Sequence, residues 1–240
     1  MLTGPPGVRG GRGSHSTSPT VPPHALVVHI GTRLVASAHR RFLAWSSSSG
    51  RVSLVGRAIQ MPGIDYDCAG CGRRHEGADG TAANPWPLIE FGRPEAFLRM
   101  SPWEQLMRTR STDELCLIDN GRSVDCFLTG FLSLAVHGGG SRLIYVPWVQ
   151  VEENDYLDLV EHWEHPRYRG DFRGTLASEL PGHGDSLSVP VRVSAPGRLP
   201  PVITPEAGCG HPLVEEAREG VSRREAELRI RSMLLDDPQR

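Results

Sequence analysis

The stretch Asp67-Cys68-Ala69-Gly70-Cys71-Gly72-Arg73-Arg74-His75 constrains this chain more than any other. Two cysteines two residues apart on a tight turn can put both sulfurs on one ion, and structural zinc takes four Cys or His ligands in a tetrahedron. Gly72, directly after the second cysteine, suits such a turn because glycine adopts positive φ without a Cβ penalty. His75 is close enough in sequence to be a third ligand. No second Cys-x-x-Cys pair completes the set, so the fourth ligand must come from far along the chain. Cys116, in Glu114-Leu115-Cys116-Leu117-Ile118-Asp119, is the first choice; Cys126, Cys209 and His211 are the others. The expected centre is a structural Zn2+ on a zinc-knuckle-like turn, held by Cys68 and Cys71, with His75 the candidate third ligand and Cys116 the first choice for the fourth.

Two plainer readings stand beside it. Cys68 and Cys71 could be ordinary thiols on a surface turn, with His75 exposed next to them. They could also be a redox pair, but a thioredoxin-type Cys-x-x-Cys opens a helix after a strand. Gly70, Gly72 and Gly77 predict irregular chain here instead.

Composition separates two unlike parts. Residues 1–60 carry seven Arg and no Asp or Glu, leaving 19 basic residues against all 28 acidic ones in 61–240, a formal charge of −9. An acidic body argues against non-specific nucleic-acid binding, so no nucleic-acid partner is expected. Residues 1–24 are Gly, Pro, Ser and Arg with little to bury and read as disordered. Residues 1–60 as a whole read as a disordered or mis-called N-terminal extension, with Met61 as the start of the domain; an Arg- and Ser-rich transit peptide is the other reading. Five cysteines do not make a disulfide framework, and no run reaches the length of a membrane span. A cytoplasmic protein is expected.

From Met61 onward the local signals agree. Ser101-Pro102-Trp103-Glu104 is a capping box with Pro at the first helical position, predicting a helix from about 102 to 109. Leu115–Asp119 reads as a strand. Cys126–Val136 and Leu143–Val151 are apolar, β-rich runs joined by His137-Gly138-Gly139-Gly140-Ser141, a hairpin signal. Glu152–His165 reads as a helix with Tyr156, Val160 and Trp163 as its core stripe. Leu187–Ser194 is a strand interrupted by Pro190, and Val202–Thr204 a last short one. His211-Pro212-Leu213 opens a helix ending near Gly220. Ser222-Arg223-Arg224-Glu225 caps another whose buried face is Ala226, Ile230 and Met233. The fold class is α+β: one domain over 61–240 with a small antiparallel or mixed sheet and flanking helices.

Two motifs suggest hydrolases. Gly184-Asp185-Ser186-Leu187 spells a known nucleophile block, but it precedes a strand near the domain's end instead of a helix near its start. His137-Gly138-Gly139-Gly140 is similar to an esterase oxyanion loop, but no Gly-x-Ser-x-Gly elbow accompanies it.

The blocks together resemble a bacterial family catalogued as domain of unknown function 2199, over residues 64–235. Its Cys-x-x-Cys-Gly-x-x-His opening is matched by Cys68, Cys71, Gly72 and His75, and its Leu-Cys-x-Ile-Asp block by Leu115–Asp119. Trp148–Asn154, Leu180–Leu187 and His211–Gly220 follow in the family's order. The resemblance implies a start near Met61 and favours Cys116 as fourth ligand. The family often has Thr at the position of Ser186 and Asp at that of Gly210, which weakens a role for either. It implies a fold and no mechanism. The expected function is binding or regulation, with an unknown protein or small-molecule partner. The alternatives are a metal-assisted or serine-type hydrolase using His183, Asp185, Ser186 or His211, and a thiol redox protein. Ligand count separates them, because a catalytic zinc keeps one position open.

Overall fold

Ile64 and Tyr66 alternate with polar residues, so one face of that segment can be buried while the other meets water. The computed structural model describes residues 63–68 and 71–235; the expectations for residues 1–60 and for a start at Met61 lie outside them. In it, β1 (Ile64–Cys68) pairs antiparallel with β2 (Arg73–Ala78). The cysteine turn therefore sits on a hairpin, not in irregular chain. The glycines that suggested irregularity do local work within it: Gly72 takes φ 66° in the turn and Gly77 takes φ 63° where the register slips between Ile64 and Tyr66. Such a slip is a β-bulge, which glycine at positive φ favours. The Gly77 N–H freed by the bulge donates to Asp65 Oδ1 at 2.7 Å.

The centre of the fold is a seven-stranded antiparallel sheet, larger than the small sheet expected. Its members are β4 (Thr109–Ser111), β5 (Leu115–Asp119), β6 (Val124–Thr129), β9 (Trp148–Val151), β10 (Gly170–Leu176), β11 (Pro190–Ala195) and β12 (Val202–Pro205). Their order is β12-β11-β10-β9-β6-β5-β4. A second, three-stranded sheet holds β3 (Ile89–Glu90), β8 (Arg142–Val146) and β7 (Leu132–Ala135), with β3 parallel to β8 and β7 antiparallel to it. The hairpin expected across 126–151 is present but spans both sheets: β6 pairs β9 in the large one and β7 pairs β8 in the small one. Each run is broken once. Pro147 removes a ladder donor between β8 and β9. Gly130 passes so close to the 201–203 chain that a Cβ there would lie 2.7 Å from Pro201 O.

Along β11 and β12 burial alternates residue by residue, whereas four consecutive residues of β6 are buried. The middle of the sheet is thus covered on both faces and its β12 side on one. Trp148, Phe127, Cys116, Ile118 and Ala177 form a buried cluster, with Phe91, Phe97 and Met100 packed against it. The Trp148 indole N–H donates to Phe91 O at 2.8 Å, so its polar atom is satisfied inside the core.

Among the described residues five helices flank the sheets: α1 (Glu95–Leu98), α2 (Pro102–Arg108), α3 (Glu153–His162), α4 (Pro212–Glu219) and α5 (Arg223–Leu235). The Ser101 capping box at α2 is complete, with Glu104 N–H donating to Ser101 Oγ and Ser101 N–H to Glu104 Oε2. Helix α3 ends at His162, short of His165, because Pro166 disfavours helical backbone at the residue before it. Its buried residues are Tyr156 and Leu159, with Val160 and Trp163 at the margin. The second capping box is only half formed: Glu225 N–H donates to Ser222 Oγ, but the Glu225 side chain accepts from Arg229 Nε at 2.7 Å instead of reaching back. No helix among the described residues is long and apolar enough to cross a membrane.

Candidate metal centre

The β1–β2 hairpin brings three of the four expected ligands together. Cys68 ends β1, Cys71 lies in the turn, and His75 stands on β2 directly opposite Tyr66. The Gly72 N–H donates to Cys68 O at 2.8 Å and closes the turn. Tyr66 and His75 stack with ring centroids 4.8 Å apart and planes 6° from parallel, and Tyr66 Oη donates to Pro85 O at 3.1 Å. The imidazole is thereby held by a ring that is itself anchored.

One ligand atom from each of Cys68, Cys71 and His75 lies within 4.8 Å of the other two, and Cys71 Sγ is 3.3 Å from His75 Nε2. Tetrahedral zinc at ordinary bond lengths separates its ligand atoms by about 3.5–3.7 Å. The three side chains thus fit a metal ion with a closure of about 1 Å at the widest pair. The hydrogen bond with His75 lowers the Cys71 thiol to about 7, a backbone hydrogen bond at Arg73 assisting. Thiolate, the form that binds metal, is therefore accessible at neutral pH. Around the turn, Arg74 lies 3.7–3.9 Å from Asp65, Asp67 and Glu76, all exposed, an arrangement worth little in water.

Cys116 is not part of this cluster. It is fully buried in β5 within the Trp148 core, and burial pushes its thiol up to about 11. Its side chain packs among apolar residues, as a small hydrophobe does. Cys126 is likewise buried, at about 12 for the same reason. Cys209 is exposed between Gly208 and Gly210. Among the described residues the assembled set is Cys2His, and all five cysteines are free thiols.

The hydrolase candidates lie elsewhere and are engaged otherwise. Ser186 has no exposed surface; its hydroxyl donates to Ser178 O and accepts the Leu180 N–H at 2.7 Å. It plugs the turn between β10 and β11, and Ser188 at φ 67° delays the expected strand until Pro190. His211 caps α4, its Nδ1 accepting the Leu213 N–H at 3.1 Å, which leaves Nε2–H to donate to Asp185 Oδ1 at 3.0 Å. With one nitrogen capped and the other protonated, this imidazole has no free lone pair to act as a base. His137, in the glycine loop, sits 2.9 Å from Glu219 O, which ties the hairpin tip to the end of α4.

His183 belongs to a buried ionic network that spacing along the chain gave no sign of. Its Nε2 is 3.0 Å from Glu216 Oε2. Arg229 donates to both Glu216 oxygens at 2.8 Å, to Glu225 at 2.7 Å and to the Tyr145 hydroxyl at 3.4 Å. Burial lowers the His183 pKa against the pull of Glu216. Burial also opposes charge on Glu216, but the Arg229 hydrogen bonds outweigh it and hold the carboxyl below its usual range.

Both shifts work in one direction. An unfolded histidine takes up its proton near about pH 6.5 while folded His183 resists it, so this stability is complete above that pH and is lost as pH falls below it. The lowered Glu216 carboxyl adds a loss that begins below the ordinary glutamate range. The thermal midpoint should therefore drop as pH falls from about 7 to about 5, and His183→Gln, which keeps a donor and cannot titrate, should flatten that drop. An unchanged slope in the variant would remove His183 from the account.

No curated protein and no solved structure matches the chain. The family described as "Uncharacterized protein conserved in bacteria (DUF2199)" matches residues 67–221, from the cysteine turn to just past α4, and the chain belongs to that family.

Proposed function

We propose that this is a zinc-binding protein of the cytoplasm whose metal-stapled hairpin serves binding or regulation. The observation that carries the reading is the convergence of Cys68, Cys71 and His75 ligand atoms within 4.8 Å on one hairpin. Zinc suits two thiolates and an imidazole better than the hard cations do. Five unpaired thiols agree with a reducing compartment. The exposure of Cys71 favours binding over catalysis, since a catalytic metal works in a water-excluded cavity.

Purified full-length protein is expected to hold about one zinc per chain, and Cys68→Ser with Cys71→Ser should abolish retention, because ligand loss removes most of the affinity. The double variant should also expose β1–β2 to proteolysis while the large sheet keeps its circular dichroism. A protein that folds and holds no metal would overturn the zinc reading. The three-ligand count supports a second reading, metal-assisted hydrolysis at the open position. Zinc that a chelator removes without loosening the hairpin, together with loss of an esterase or phosphatase activity, would favour that one.

A further inference from the structure

Helix α2 is built inside out. Trp103, Leu106 and Met107, at i, i+3 and i+4, are 67%, 72% and 59% exposed, and Leu98 at the end of α1 is 59% exposed. No residue of α2 is buried. The half-buried positions are polar: Glu104, Gln105 and Arg108. Gln105 Nε2 donates to Phe97 O and Met100 O at 3.2 Å, and Arg108 Nε donates to Asp119 O at 2.7 Å. The helix is thus fastened to the body through its polar side, the reverse of the usual arrangement.

The four apolar side chains present roughly 400–500 Å2 to solvent, the size of a typical monomer's largest apolar patch, which is often functional. Helix α2 runs without a linker into β4, the outermost strand of the large sheet, which pairs with β5 alone among the described residues. The opposite edge is different: Val202 of β12 makes a further bridge to Phe131. An apolar helix face and an open sheet edge therefore adjoin on one side of the protein.

We propose that this surface binds the same surface of a second copy of the chain about a two-fold axis, β4 antiparallel to its twin and α2 beside its twin. Antiparallel pairing lets an edge strand complement itself, and a patch that meets itself closes a dimer and goes no further. The helix face alone falls short of the roughly 800 Å2 per partner of a stable interface. The strand edge supplies further area and the backbone partners that an unprotected edge lacks.

Sedimentation of the full chain from about 1 to about 100 µM tests the proposal. Two chains per particle are expected, with the Ser111 amide, which points away from β5, exchanging more slowly as the dimer fills. Leu106→Glu and Trp103→Glu alter exposed side chains, so folding and circular dichroism should be kept while self-association weakens at least about tenfold. One chain per particle throughout would overturn the proposal, whether another part of the chain or a different protein covers the face. So would a dimer that persists in both charge variants.

Discussion

Arg229→Met is expected to destabilise the protein by about 3 kcal/mol, measured by urea denaturation at neutral pH. The Arg229 side chain is 6% exposed and joins α5 to Glu216 of α4, Glu225 of its own helix and Tyr145 of β8. Removing it leaves the Glu216 carboxylate, 23% exposed, without its two donors and facing His183. An uncompensated buried charge is what makes breaking such a pair cost about 3–5 kcal/mol. The lower end applies because Glu225 is 42% exposed and can be rehydrated. Adding Glu216→Gln should recover much of the loss, since the orphaned charge goes with it. A cost below about 1 kcal/mol would mean that the network contributes little to stability.

Trp148→Ala should cost about 3–5 kcal/mol, the range for truncating a large buried aromatic side chain. Trp148 has no exposed surface and joins β9 to Phe127 of β6, Cys116 and Ile118 of β5, and the Phe91–Met100 segment packed over them. Trp148→Phe separates the two contributions. It keeps most of the ring but strands Phe91 O, which now accepts the indole N–H, for about 1–2 kcal/mol. If the alanine variant melted within a few degrees of the parent, the Trp148 cluster would not be the core on which this account rests.

These two positions mark how far the fold was legible in the sequence. The Trp148 run read as a strand because apolar and β-branched residues cluster there. The Ser101 box, the strand at Leu115–Asp119 and the helix end at Gly220 each carry a local chemical signal, and each stands in the structure. Arg229 carries none. Its partner Glu216 lies thirteen residues away on another helix, and a buried Arg reads as a surface residue until tertiary packing brings its acids together. The inverted face of α2 was hidden for a related reason. Its apolar spacing is that of a core stripe, and only the hydrogen bonds of Gln105 and Arg108 to the body turn it outward.

At the metal centre, the local part of the site was legible and the long-range part was not. A Cys-x-x-Cys on a turn and a histidine four residues on converge through hairpin geometry alone. Cys116 was chosen from a sequence block, and its sulfur goes into the core because β5 is covered on both faces. Gly72 and Gly77, read as signs of irregular chain, serve the turn and the bulge of a regular hairpin.

X-ray absorption at the zinc edge, on full-length protein loaded with one equivalent of zinc, tests the central claim most directly. The account predicts about two sulfur ligands near 2.3 Å, with one imidazole nitrogen and one light atom near 2.0–2.1 Å filling the open position. Three sulfurs would bring Cys116 or Cys209 back into the site, and a shell of oxygen alone would mean that the hairpin is not a zinc centre.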